Sequence, residues 1–171
     1  QGYSSAASDV YKRQDLGLVE GICRLPNLRY TTFLQDELVA VVHTGSKLSL
    51  PDEITPEDLS RIPLVLRERG SGTLDVFERA LSEHNMKLSS LNVLLYLGST
   101  ESIKLFLEHT DCIGIVSIRS ISRELLSGTF RVIEIKGMPM LREFCFAQPQ
   151  GQESGLSQVL MQFAMHHNKK L

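Results

Sequence analysis

Short apolar runs alternate with amphipathic segments along most of this chain. The runs are bounded by glycine, proline or charged residues, which is typical of buried β-strands. The predicted strands are residues 16–19, 28–34, 38–42, 63–66, 93–97, 112–116, 130–135 and 142–147. The polar triplet at 35–37 predicts a turn between the second and third strands.

The amphipathic segments predict helices at residues 73–84, 100–109, 118–126 and 156–166, with a further short helix starting after Thr55. In the first of these, Leu74, Phe77 and Leu81 have the i, i+3, i+7 spacing of a buried face. The last helix carries an apolar stripe that we expect to be buried, made of Leu156, Val159, Leu160 and Phe163. Strands alternating with helices predict an α/β fold with a mixed, mostly parallel sheet.

Two glycine-bearing turns open helices directly after predicted strands. One is Gly-Ser-Gly-Thr at 70–73, and the other is Gly-Ser-Thr-Glu at 98–101. Helix N-termini carry partial positive charge and N–H groups without intrahelical partners, and therefore suit anions and polar small molecules. Ligands of parallel sheets bind outside the carboxyl ends of the strands, where both turns fall. The pattern predicts a receptor, while helix capping, worth about 1 kcal/mol per hydroxyl, is a compatible alternative role.

Charge, cysteine spacing and missing catalytic motifs exclude several classes of function. The chain has 171 residues and a net charge of −2, which provides no basic face for a nucleic-acid backbone. The cysteines, Cys23, Cys112 and Cys145, have neither metal-type spacing nor a disulfide framework, which favours a reducing compartment. The glycine turns lack the spacing of a nucleophile elbow and the lysine of a phosphate-binding P-loop. We therefore expect no enzyme, no cofactor and no metal site.

Several motifs, taken in order, resemble the effector-binding domain of LysR-type transcriptional regulators. The motifs are Asp-Leu-Gly-Leu-Val-Glu-Gly at 15–21, Asp-Glu-Leu-Val-Ala-Val-Val at 36–42, Pro-Leu-Val-Leu-Arg-Glu at 63–68 with the turn at 70–73, Leu-Gly-Ser-Thr-Glu-Ser-Ile-Lys at 97–104, Gly-Ile-Val-Ser at 114–117, Leu-Leu-Ser-Gly at 125–128 and Arg-Glu-Phe-Cys-Phe at 142–146. The resemblance extends from residue 15 to about residue 167.

The resemblance implies a two-lobed fold like that of a type 2 periplasmic binding protein, with an incomplete first lobe. Lobe 1 would comprise residues 15–49 and 141–168, and lobe 2 residues 50–140. Residues 1–14 are predicted to be a non-native or disordered tail. The helix-turn-helix, linker helix and first β-α-β unit of the family have no counterpart here. We therefore expect this chain itself to bind its effector weakly or not at all and to make no contact with DNA.

The implied function is effector sensing in the cytoplasm. A small metabolite, expected to be an anion, would bind between the lobes, and a dimer or tetramer would pass the change to DNA without membrane contact. The resemblance also assigns helix 73–84 and strand 93–97 to the dimer contact. The expected effector-binding residues are Glu20, Gly21, Ser71, Gly72, Thr73, Ser99, Thr100 and Gly114. The alternatives are a solute-binding receptor of an uptake system and an enzyme on the same scaffold.

Overall fold

The computed structural model describes residues 15–20, 25–151 and 155–168, so the predicted tail at 1–14 lies outside the described residues. The strands are β1 (Gly17–Glu20), β2 (Leu28–His43), β3 (Glu53–Ile54), β4 (Leu64–Arg67), β5 (Val93–Leu97), β6 (Ile113–Ser117), β7 (Phe130–Ile135) and β8 (Met140–Pro149). The α-helices are α1 (Gly72–Glu83), α2 (Thr100–His109), α3 (Ser122–Leu126) and α4 (Gly155–Asn168). Short 3₁₀ helices occupy Pro56–Ser60, Leu88–Ser90 and Ile118–Ile121.

The chain divides into two compact units. Unit 1 combines the residues up to Gln35 with those from Arg142 onward, and unit 2 is Asp36–Leu141. The expected lobes place the first boundary after residue 49 instead. In the structure, the second half of β2 pairs with β6 through residues 38–42 and with β7 through residues 40–43. Because β6 and β7 both belong to unit 2, this half of β2 is grouped with unit 2.

Strand β2 runs without interruption through the polar triplet, so the predicted turn at 35–37 is wrong. The triplet follows the alternation of a strand: Gln35 and Glu37 are exposed, and Asp36 between them is buried. The hydroxyl of Ser117 donates a 2.8 Å hydrogen bond to the Asp36 carboxylate. A polar side chain can therefore occupy the inward position of this strand because its partner comes from β6.

Unit 2 is built on a mixed sheet with helices on both faces. The strand order is β5-β4-β6-β2, with β7 beside β2 and β3 beside β7. Strand β4 is parallel to β5 and β6, whereas β2 is antiparallel to β6 and β7. Alternate residues of the strands face two cores. Leu64 and Leu66 join the core under α1, and Val65 joins the core under α2. The predicted buried stripe of α1 is confirmed.

In unit 1, β1 pairs antiparallel with β8, and β8 lies next to β2. The prediction for the last helix is wrong, because its apolar stripe is exposed, from 54% at Leu160 to 79% at Leu156. Helix α4 instead buries Ser157. The apolar stripe therefore lies on the exposed face of α4, and the face that contains Ser157 is the buried one. Among the described residues, no helix has the length and hydropathy needed to cross a bilayer.

Candidate functional site

The two glycine turns leave neighbouring strands at the same edge of the unit 2 sheet. Strands β4 and β5 are parallel, and their last residues, Arg67 and Leu97, are paired. Beyond this pair the Glu68 N–H donates to the Leu97 carbonyl at 3.1 Å. Helix α1 then packs on one face of the sheet and α2 on the other. Both helices consequently begin at the carboxyl edge that the sequence analysis assigns to ligand binding.

Ser71 is the N-cap of α1. Its hydroxyl accepts a 3.2 Å hydrogen bond from the Leu74 N–H, and its side chain is buried together with that of Thr73. The first intrahelical bond runs from the Asp75 N–H to the Ser71 carbonyl. The N–H groups of Gly72 and Thr73 therefore precede the helical ladder, at the positive end of the helix dipole.

Ser99 caps α2 in the same way. Its hydroxyl accepts a 3.1 Å hydrogen bond from the Ser102 N–H and lies 2.8 Å from the Ser102 hydroxyl. Thr100 is half-buried at the first helical position. The capping role of both serines is therefore present in the structure. Their contact with an effector stays a prediction.

Arg67, the last residue of β4, links the end of its strand to the second turn. Its guanidinium donates two hydrogen bonds to the Glu68 carboxylate, at 2.8 and 2.9 Å, and a longer one of 3.4 Å to the Gly98 carbonyl. The hydrogen bonds from Arg67 lower the pKa of the Glu68 carboxyl below its ordinary value. The positive charge of Arg67 is therefore balanced by the carboxylate of its neighbour, Glu68.

Gly114 has a packing role that is unrelated to the turns. It lies inside β6, in register with Val41 on one side and Val65 on the other. A β-carbon at this position would come within 2.9 Å of the Ile103 Cγ2 atom of α2. Glycine is therefore required for the close approach of α2 to the sheet, and we do not retain Gly114 among the proposed effector-binding residues.

Glu20 belongs to unit 1, at the end of β1. Its carboxylate lies 3.4 Å from the guanidinium of Arg142, and both side chains are largely buried. The guanidinium also lies 4.8 Å from the ring centroid of Phe144. The expected partner of Glu20 in the site, Gly21, lies outside the described residues.

Sequence reasoning missed Asp36, which is 5% exposed. Its partner Ser117 ends β6 at the same sheet edge as the two turns, because β6 is parallel to β4. The Ser117 hydroxyl also accepts a hydrogen bond from the Arg119 N–H at 3.2 Å. A signal was available, since a polar triplet between two apolar runs matches either a turn or a continuous strand whose middle residue faces inward. Within the described residues, no group of three or more metal-ligating side chains is present.

Comparison with known proteins decides the family. The model of the LysR substrate binding domain matches residues 3–169. The chain belongs to this family. The resemblance inferred from the motifs is therefore confirmed.

Among curated relatives, the chain is 33% identical over 123 residues to the HTH-type transcriptional regulator YeiE of Escherichia coli K12, covering 72% of the chain and 41% of the relative. It is 29% identical over 144 residues to the HTH-type transcriptional activator CmpR of Synechocystis, covering 84% of the chain and 46% of the relative. The chain thus spans less than half the length of these regulators.

Solved structures agree on the fold. The regulatory domain of Synechocystis CcmR, in complex with 2-PG, superposes with a TM-score of 0.79 at 23% identity, covering 97% of this chain and 80% of that one. The effector binding domain of QuiR, in complex with shikimate, gives a TM-score of 0.76 at 20% identity, with coverages of 97% and 78%. The predicted fold class, α/β with a mixed sheet of the periplasmic-binding-protein type, is confirmed.

Proposed function

We propose that this chain is the effector-sensing part of a LysR-type transcriptional regulator. It binds a small polar metabolite, preferentially an anion, at the carboxyl edge of the unit 2 sheet. In the intact cytoplasmic protein, the resulting change passes through a dimer or tetramer to a DNA-binding helix-turn-helix domain. No catalytic step is part of this function.

The observation that carries the proposal is the pair of capped helix starts at one sheet edge. The Ser71 and Ser99 caps fix the first turns of α1 and α2, so the N–H groups of both turns are oriented before any ligand arrives. Membership of the LysR family, and the small molecules bound by the CcmR and QuiR domains, support the same role. They favour it over the uptake-receptor and enzyme alternatives.

Affinity requires both turns. A micromolar complex corresponds to about −8 kcal/mol. Since each charge-assisted hydrogen bond contributes about 1.5–3 kcal/mol, several donors from more than one segment are needed. A ligand can shift the conformation only through different affinities for two arrangements.

A thermal-shift screen of small carboxylates, oxyanions and their neutral analogues tests the proposal. The informative variant is Thr100→Val, because it removes a hydroxyl at the start of α2 and keeps the side-chain shape. The matched control is Thr110→Val at the other end of the same helix. We expect a hit whose stabilisation is reduced in Thr100→Val and unchanged in Thr110→Val. Equal losses in the two variants, or a stabilisation that Thr100→Val does not reduce, contradict the assigned site.

We also propose that β5 and α1 provide the unit 2 half of a dimer contact. Strand β5 is last in the strand order and carries three consecutive exposed apolar residues, Leu94, Leu95 and Tyr96. An exposed apolar edge strand is a surface on which a second chain can pair.

Sedimentation of Leu95→Asp tests this contact. The matched control is Leu126→Asp on α3, because Leu126 is apolar and 90% exposed but lies outside the β5 edge. We expect Leu95→Asp to weaken association and Leu126→Asp to leave it unchanged. Association that persists in Leu95→Asp would contradict the assigned interface.

A further inference from the structure

A pocket of about 520 Å³ lies within unit 2, where β2 and β7 part. Their ladder ends at the pair Ala40–Ile133, and beyond it β7 pairs with β3. The pocket opens in the wedge between the two strands, and the loop from Gly137 to Met140 forms its end. Its volume is in the range of small-molecule sites.

The side chains that line the pocket are apolar except for two glutamates. Val39, Ile118 and Val132 form apolar walls continuous with the core under α2. Glu37 and Glu134 are the two polar side chains of the lining, and both are exposed. By strand alternation, Glu37 shares a face of β2 with Val39, and Glu134 shares a face of β7 with Val132. The two carboxylates therefore lie on the same side of the sheet as these three apolar side chains, whereas Met138 and Met140, which also line the pocket, belong to the core under α1.

We propose that this pocket binds a small organic ammonium ion. The apolar body of the ligand would lie against the valine and isoleucine walls, and its ammonium group would face the two carboxylates. An anion would meet like charge at both glutamates, and a neutral apolar molecule would gain nothing from them. The proposal is independent of the proposed effector function, because every lining residue differs from those assigned to the turns of α1 and α2.

Methionine-methyl NMR offers a direct test. Of the five methionines in the chain, Met138 and Met140 line this pocket. Met86 lines a separate pocket beside α1, and Met161 and Met165 lie on α4. Titration with cyclohexylammonium should shift the Met138 and Met140 resonances saturably and leave those of α4 unchanged. Cyclohexanol and cyclohexanecarboxylate are the neutral and anionic controls, and Met138→Leu provides the assignment.

The charge of the lining is tested by Glu37→Gln and Glu134→Gln. Because exposed ion pairs contribute about 0.2–1 kcal/mol, we expect each variant to weaken binding about threefold. The matched control is Glu78→Gln, which removes one charge from the pocket beside α1 and should leave the affinity unchanged. The larger side chain of Val39→Phe should occlude the pocket and abolish the shifts.

Each possible outcome of these titrations either supports or overturns the proposed ammonium site. Saturable shifts at Met138 and Met140 that are weakened by both glutamine variants support the proposal. It is overturned if cyclohexylammonium gives no saturable shift there, if the carboxylate binds equally well, or if Glu78→Gln weakens binding as much as Glu37→Gln. The glutamine variants change exposed side chains, so this arm stays decisive even where Val39→Phe fails to fold.

Discussion

Replacement of Gly114 by alanine is expected to destabilise the protein by forcing α2 away from the sheet. The added β-carbon would lie 2.9 Å from Ile103 Cγ2, 3.1 Å from Leu107 Cδ1 and 3.5 Å from Val65 Cγ1. Ile103 and Leu107 are fully buried, and Ile103 is β-branched and therefore stiff at its first side-chain torsion. Neither neighbour can yield without a shift of the helix or an unfavourable rotamer.

The magnitude follows from two opposing effects. Overpacking a close-packed core costs about 1–3 kcal/mol. Alanine also restricts the unfolded chain more than glycine does, which returns about 0.4–1 kcal/mol. The difference of these ranges is about 0–2.6 kcal/mol, so we expect the free energy of unfolding to fall by roughly 1.3 kcal/mol, the midpoint, in Gly114→Ala.

Urea unfolding followed by circular dichroism measures this change. Gly98→Ala is the matched control, because a β-carbon at Gly98 meets no atom within 4 Å. Because only the effect on the unfolded chain remains there, its free energy of unfolding should rise by about 0.4–1 kcal/mol. Combining Gly114→Ala with Ile103→Ala should cost less than the sum of the single changes, because the second substitution removes the clashing atom. Equal effects of Gly98→Ala and Gly114→Ala, or additive costs in the double variant, would refute the packing explanation.

Three further predictions concern the caps, a buried thiol and the exposed helix stripe. Ser71→Ala and Ser99→Ala should each lower the free energy of unfolding by about 1 kcal/mol, because each removes the acceptor of a first-turn N–H. Losses no larger than in Ser89→Ala, which changes an exposed serine outside both helix starts, would contradict this. Burial raises the pKa of the Cys112 thiol to about 11 from the ordinary value of 9.0, so the unfolded chain releases this proton first and stability should fall as the pH rises from 9 toward 11. Urea titrations across this range should show a flatter decline in Cys112→Ala, and an unchanged decline would exclude the thiol as its source. Phe163→Ser, at a side chain that is 59% exposed, should change the free energy of unfolding by less than about 0.5 kcal/mol while reducing self-association in light scattering, and a larger loss would show that the ring is buried in solution.

The features that sequence reasoning located correctly are encoded locally. The predicted helix at 73–84 corresponds to α1 and the predicted helix at 100–109 to α2, each within one residue at either end. Their serine caps, glycines and apolar spacing all lie within one or two turns of the helix they define. Each strand leading into a turn is likewise a continuous apolar run.

The errors arise where the deciding contact is distant in sequence. The hydroxyl that satisfies Asp36 belongs to Ser117, which is 81 residues away, so the triplet at 35–37 resembles a turn until the sheet is assembled. The stripe of α4 shows a related limit, because periodicity predicts which residues share a face but not what covers that face. The packing role of Gly114 is likewise invisible in its own motif, because it depends on Ile103 in another element.

The difference between local signals and contacts distant in sequence also affects what can be inferred about the proposed effector. The pattern of helix starts predicts hydrogen-bond donors, but the preference for an anion depends on side chains whose partners only the structure provides. Arg67 is matched by Glu68, and Asp36 adds a carboxylate at the end of β6. Besides such side chains, each of the two helix starts contributes its dipole, worth about 0.3–1 kcal/mol near a charged group. Two such contributions favour an anion over a neutral isostere by roughly threefold to thirtyfold. A neutral polar analogue should consequently bind measurably at this edge, and an anion preference far above that range would show that a charged side chain, and not the helix dipoles alone, contacts the ligand.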